Sequence, residues 1–178
     1  MRKASVLIVI LLLSTLLAGC SQVSWLRFNT PPRVAVVDFQ NLTGDPENDR
    51  LGAAIGEYMT TYLTNRGLLL LRDRQDISRR LQIIDAGASE REKFQRWQQL
   101  GKQIGARYLI GGSISRLDGN YVIDARIFDV DRGLVINNTA IEQTCLHEYE
   151  IYDRVQYIAE FESRKLMELG AMQSDSQQ

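Results

Sequence analysis

Histidine and cysteine are nearly missing from this chain of 178 residues: one histidine, His147, and two cysteines, Cys20 and Cys145. A zinc site of imidazoles and thiolates needs three or four such ligands, so one could form here only with carboxylates that no motif supplies. His147 is expected instead to start or cap a helix. Proline stands only at Pro31, Pro32 and Pro46. No GxxxxGK[ST] loop, GxSxG elbow or serine–lysine arrangement occurs, which removes the common phosphate cradle and the common nucleophile geometries. Neither sign of charge prevails, with 21 basic against 22 acidic side chains. They alternate in stretches such as Arg72-Asp73-Arg74-Gln75-Asp76. That mixture reads as a solvated face and gives no nucleic-acid footprint.

One long apolar run exists, at the start. Arg2 and Lys3 precede Val6 to Leu17, which is interrupted only by Ser14 and Thr15, and Leu17-Ala18-Gly19-Cys20 follows. The run is too short for a comfortable membrane span and has the order of a secretory signal. The small residues before Cys20 resemble the lipobox of bacterial lipoproteins. That resemblance implies removal of residues 1–19 and acylation of Cys20, which would attach the chain to a lipid bilayer. Acyl chains bury about 0.8 kcal/mol per CH₂, so two or more anchor stably. Ser21 after the cysteine implies sorting to the outer membrane, with the domain on its periplasmic side. Without Arg2 and Lys3, 19 basic residues face 22 acidic ones, a net charge near −3. Cys145 is then the only thiol left, expected as a buried small hydrophobe or as an intermolecular bridge.

Residues 20–33 read as the lipidated anchor and a short tether, 34–170 as a single α/β periplasmic domain and 171–178 as a polar tail. Thirteen extended residues span at most about 43 Å, so the domain stays near its membrane. Trp25, Leu26 and Phe28 are unusual in such a linker. Val34-Ala35-Val36-Val37 predicts a buried strand, Gln40 to Pro46 a loop, and Leu51 to Leu63 a helix kept slim by Gly52, Ala53 and Gly56. Leu68 to Leu71 predicts a second strand. Ile77, Leu81 and Ile84 mark a helix closed by Gly87, and Ser89 with Glu92 forms a capping box for another, ended by Gly105. Tyr108–Leu117, Tyr121–Val130 and Leu134–Gln143 read as three strands joined by Asp118-Gly119-Asn120 and Asp131-Arg132-Gly133. A last helix covers His147 to Leu169, with Ile151, Val155, Ile158, Phe161, Lys165 and Leu169 near one side. The expected fold is α/β: a mixed sheet whose βαβαα part precedes a three-stranded antiparallel meander and a C-terminal helix.

Gly111-Gly112-Ser113 lies inside a strand, whereas a phosphate cradle leads into a helix; Gly101-Lys102-Gln103-Ile104-Gly105 has the same defect. Close packing is the expected role of these glycines, and no cofactor is expected. Asp38 and Asp45 flank a strand-end loop, where α/β sheets place ligands. They could serve a small metal-dependent hydrolase, but capping of backbone N–H groups is the preferred reading.

The string from Val34 to Pro46 resembles the opening strand and loop of the curli-secretion-channel (CsgG-like) family. It is similar to LpoB-like activators and TolB amino-terminal-like domains as well. Leu100 to Ile114 and Tyr121 to Gly133 carry the same resemblance, which covers about 33–169. It implies a lipid-anchored module that acts through protein contacts and not catalysis. Short connections, and Asp124, Arg126 and Asp129 in one strand, argue against a transmembrane barrel. The expected function is therefore a non-catalytic outer-membrane lipoprotein binding another envelope protein of a secretion, appendage or cell-wall assembly. Activation of a peptidoglycan synthase and a ring-forming homo-oligomer are the other binding readings. Asn41, Thr43, Asp45 and Asn48 form the expected partner-binding loop, together with an open sheet edge.

Overall fold

Arg33–Val36 forms strand β1, and its side chains feed two cores, Val34 and Val36 on one face and Ala35, followed by Val37, on the other. A strand buried on both sides needs an unbroken apolar run, which this segment supplies. The computed structural model describes residues 32–66, 70–71, 77 and 89–175. The signal, Cys20 and most of the tether lie outside them, as does the helix expected over 77–87 except for Ile77, which is helical and buried.

After β1 the backbone leaves the ladder and returns as β2 (Gln40–Leu42), parallel to residues 113–115. Sequence reading expected a loop here. The detour has a cause: Phe39 turns into the core, and its N–H donates at 3.1 Å to the carbonyl of Gly52. Helix α1 (Asp49–Arg66) then buries Leu51, Ile55, Met59 and Leu63 on the sheet, each apolar side chain stabilising by roughly 1.5–3 kcal/mol relative to exposure. β3 (Leu70–Leu71) pairs parallel with β1. α2 (Glu90–Ile104) opens with the expected capping box, in which Ser89 and Glu92 exchange hydrogen bonds, and closes on Gly105 at φ +64°. Phe94 and Trp97 on α2 meet Phe128 at ring distances of 5.6 and 5.9 Å.

β4 (Tyr108–Leu117) and β5 (Asn120–Asp129) pair antiparallel through a two-residue turn, with Asp118 and Gly119 both at positive φ. That is the turn whose twist suits a hairpin. The third meander strand expected over Leu134–Gln143 is broken into β6 (Leu134–Val135) and β7 (Ile141–Cys145). Buried Thr139 spans the gap: its hydroxyl accepts from Ile127 N–H at 3.1 Å and donates to the Ile136 carbonyl at 2.8 Å. A side chain thus replaces one rung of the ladder. The strand order is β3-β1-β4-β5-β6, with β2 also on β4 and β7 also on β5. The mixed sheet is the one expected.

Helix α3 (Ile151–Asp175) follows a 3₁₀ turn at Glu148–Glu150 and runs past the expected end at Leu169. It shares one face of the sheet with α1, while α2 packs on the other. Cys145 is buried in the α1/α3 core, and burial pushes its thiol above the ordinary range. The expected core stripe of α3 is partly displaced. Phe161 and Lys165 are half-buried and paired as ring and cation, while Ala159, Glu162 and Leu166 face inward.

Glu162 is fully buried, and neither carboxylate oxygen has a hydrogen-bond partner. Burial pushes it up to about 8, so the folded chain keeps a proton that the unfolded chain releases near 4.5. Stability is therefore full below pH 4.5 and falls as pH rises through about 8. Urea unfolding at pH 5 and pH 8.5 should show wild type losing on the order of a few kcal/mol more than Glu162→Gln. Equal losses would remove Glu162 as the source.

Candidate partner-binding surface

The four side chains singled out in the 41–48 loop do converge, but largely on one another. Asn41 Oδ1 accepts from the Thr43 N–H at 2.9 Å and the Thr43 hydroxyl at 2.7 Å. Asn41 Nδ2 donates to the Asp45 carbonyl at 2.8 Å and to Asp49 Oδ1 at 2.7 Å. Asn48 Nδ2 reaches the Thr43 hydroxyl oxygen at 3.0 Å, and only 6% of Asn48 is exposed. Asp45 Oδ1 accepts from the Glu47 N–H at 3.0 Å, capping the 3₁₀ turn Pro46–Asn48. These bonds set the shape of the loop, with Gly44 at φ +79° at its tip. What they leave facing outward is the tip itself, Gly44 to Glu47, beside exposed Leu42.

Asp38 is half-buried at the end of the β1 segment, and Asp45 is engaged in the cap. Among the described residues no group of three or more His, Cys, Asp or Glu side chains could hold a metal ion. No helix among them is long and apolar enough to cross a membrane.

A second surface adjoins the loop. Arg50 pairs with Glu148 at 3.1 Å, Tyr58 meets Tyr152 edge to face at 5.1 Å, and Arg66 lies 3.8 Å from Glu160. The partners advance together along both helices, so α1 and α3 run parallel, as they must after strands that point the same way. Between them lies a groove walled by Tyr58, Tyr62, Tyr152 and Gln156. Tyr58 and Tyr152 remain 41% and 53% exposed despite their contact. At the Glu148 end, Tyr149 is 78% exposed and stacks with His147 at 5.2 Å. His147 starts the turn before α3 as expected, by its backbone: Glu150 reaches back to the N–H groups of Leu146 and His147 at 2.8 and 3.0 Å. Those two donors hold the Glu150 carboxyl below its ordinary range. Tyrosines combine large contact area with a polar tip and low conformational cost, which is why they are enriched at interfaces. Tyr58 faces out, and Tyr62 packs at the rim of the core.

Comparison with solved structures agrees with this fold. The LpoB C-terminal domain from Salmonella enterica matches with TM-score 0.50 and 17% identity, over 66% of this chain and 84% of that one. The NMR structure of Escherichia coli LpoB matches with TM-score 0.50 and 19% identity, over 65% and 56%. At such identity the likeness is one of fold. The expected similarity to LpoB-like proteins is thus found, while that to the curli-secretion channel is not shown. No curated protein matches. The profile described as FlgO protein matches residues 12–144, about three quarters of the sequence, and the chain belongs to that family.

Proposed function

We propose that this chain is a non-catalytic lipoprotein, held on the periplasmic side of the outer membrane by acyl groups on Cys20, whose α/β domain binds another envelope protein. The partner belongs to a secretion, appendage or cell-wall assembly. The observation that carries this reading is the exposed loop tip together with the tyrosine groove between α1 and α3, the Arg50–Glu148 pair standing at the loop end of α1. Polar side chains of the loop are turned to making it rigid, and a rigid tip loses little entropy on docking. Asn41, Thr43 and Asn48 act here by holding the tip, and Asp45 stands at the contact. Activation of a peptidoglycan synthase is the second reading, favoured by the fold likeness to LpoB.

Photo-crosslinkers placed in cells at Asp45 and Tyr152 should trap the same partner, while one at Lys102 on α2 should not. Tyr58→Ala with Tyr152→Ala should weaken that capture at least tenfold, since buried aromatic anchors commonly carry 2 kcal/mol or more. In the same series, Cys20→Ser should move the protein out of the membrane fraction. Different partners at the two positions, or equal trapping from Lys102, would count against the surface. If the partner is a synthase, the purified domain should raise glycan polymerisation; an unchanged rate removes that reading.

A further inference from the structure

Tyr58, Thr61, Tyr62 and Asn65 recur on α1 at i, i+3, i+4 and i+7, and so form one stripe beside the buried Ile55, Met59 and Leu63. Tyr152 and Gln156, one turn apart on α3, line the groove from the other side. None of the six carries a charge. The charged pairs Arg50–Glu148 and Arg66–Glu160, which stand before and after them along both helices, each cancel in place.

The polar groups of this lining are open. Among the described residues, the side chains of Tyr58, Thr61, Asn65, Tyr152 and Gln156 make no hydrogen bond. Thr60 and Thr64 beside them do, each donating to a carbonyl one turn earlier, at 2.8 and 2.7 Å. The rings, by contrast, are held. Tyr58 and Tyr152 meet edge to face, and the Tyr62 hydroxyl oxygen accepts from Arg66 at 2.6 Å, with that guanidinium 5.2 Å over the ring. A ligand meets surfaces already set in place, which lowers the ordering cost of binding.

The groove holds about 70 Å³, far below the roughly 300–1,000 Å³ of an enclosed small-molecule site. It suits single rings of a chain that lies across it. An added strand needs a sheet edge, and these walls are helices. A docked helix needs a broad apolar floor, and here three rings stand among two amides and a hydroxyl. A polyproline II segment has the matching chemistry. Its pyrrolidine rings pack on aromatic faces, and its backbone offers carbonyls without N–H groups. Asn65, Gln156 and the tyrosine hydroxyls supply the donors those carbonyls need. Lengths agree as well: Tyr58 to Asn65 covers about 10 Å of helix, and one polyproline II turn about 9 Å. We infer that the groove binds an uncharged, proline-rich stretch of the partner protein in the polyproline II conformation. This inference rests on the protein-partner reading above and adds the kind of segment that the groove selects.

Calorimetry on the full chain in a polyoxyethylene detergent tests it with three uncharged probes: acetyl-hexaproline amide, a glycine–serine peptide of equal length, and the trimer of N-acetylglucosamine. The proline peptide should bind saturably and with the same affinity at low and high salt, because no charge lines the site. The glycine–serine peptide should bind at least tenfold more weakly. Tyr58→Ala with Tyr152→Ala should weaken the proline peptide at least tenfold, and Asn65→Ala and Gln156→Ala each about threefold. The last two place the best helix former at exposed positions and remove no internal bond, so their effect is not one of folding. Lys102→Gln on α2 should change nothing. No binding of the proline peptide, equal binding of both peptides, a steep salt dependence or saturation by the sugar trimer would overturn the inference. A partner still trapped from Tyr152 in cells when hexaproline fails to bind would remove the polyproline segment alone and leave the partner reading standing.

Discussion

Gly52→Ala is expected to cost the fold about 1–5 kcal/mol, a large share of the roughly 5–15 kcal/mol that a domain commonly has to lose. A Cβ at this position would lie 2.0 Å from the carbonyl oxygen of Phe39, a backbone atom that no rotamer change can remove. Helix α1 would have to withdraw by more than an ångström. Doing so stretches the bond from Phe39 N–H to the Gly52 carbonyl and lifts Leu51 and Ile55 from the sheet. Overpacking of this kind costs about 1–3 kcal/mol, and a buried donor left unmatched costs a similar amount. The better helix propensity of alanine returns about 1 kcal/mol. Urea unfolding monitored by circular dichroism measures the difference. A variant as stable as wild type would mean that the 37–39 detour moves freely, and that this contact does not hold β2 in register.

Asp129→Ala should cost about 3–5 kcal/mol for a different reason. The side chain is 2% exposed at the end of β5, and its oxygens do two jobs. Oδ1 accepts from the N–H groups of Asp131 and Arg132 at 2.9 and 3.0 Å, closing the turn to β6; Oδ2 accepts from Arg107 at 3.1 Å. Truncation leaves two turn donors unmatched and removes one of the two carboxylates paired with half-buried Arg107 among the described residues, the other being Asp131. Asp129→Asn keeps an acceptor for the turn and removes the charge, so it should lose about half as much. Denaturation curves of the two variants, with and without Arg107→Ala, separate the turn from the ion pair. Equal losses in both variants would assign the whole effect to charge.

Local chemistry was the legible part of this molecule. The two-residue turn at Asp118-Gly119, the Ser89–Glu92 capping box and Gly105 each fix a boundary through neighbours in sequence, and the structure has them where sequence places them. The packing role of the glycines was readable as well. A Cβ at Gly101 would meet Val130 at 2.4 Å, and one at Gly111 would meet Val37 and Trp97 at 2.4 and 2.6 Å.

What escaped depends on distant partners. Gln40-Asn41-Leu42 is polar and turn-like in composition, and becomes a strand only because β4 offers its edge about seventy residues later. Thr139 interrupts a run that reads as one strand, since its hydroxyl can replace a backbone donor or acceptor, and apolar alternation does not register that. Glu162 counts as polar in any periodicity and so drops out of the core stripe it occupies. Tyr58 and Tyr152 are about ninety residues apart; only the parallel packing of α1 and α3 makes them a pair. The loop residues Asn41, Thr43, Asp45 and Asn48 were found as a cluster, and composition alone gave no sign that most of the cluster faces itself.

The central position of β1 has a mechanical consequence. The chain joins the domain at Arg33, on a strand held by parallel ladders to β3 on one flank and β4 on the other. Tension drawn along that strand from the preceding residues must slide both sets of rungs at once, rather than peel a hairpin open one rung at a time. A domain pulled from this point resists as a block, and its outlying strands β6 and β7 are not the first to carry the load.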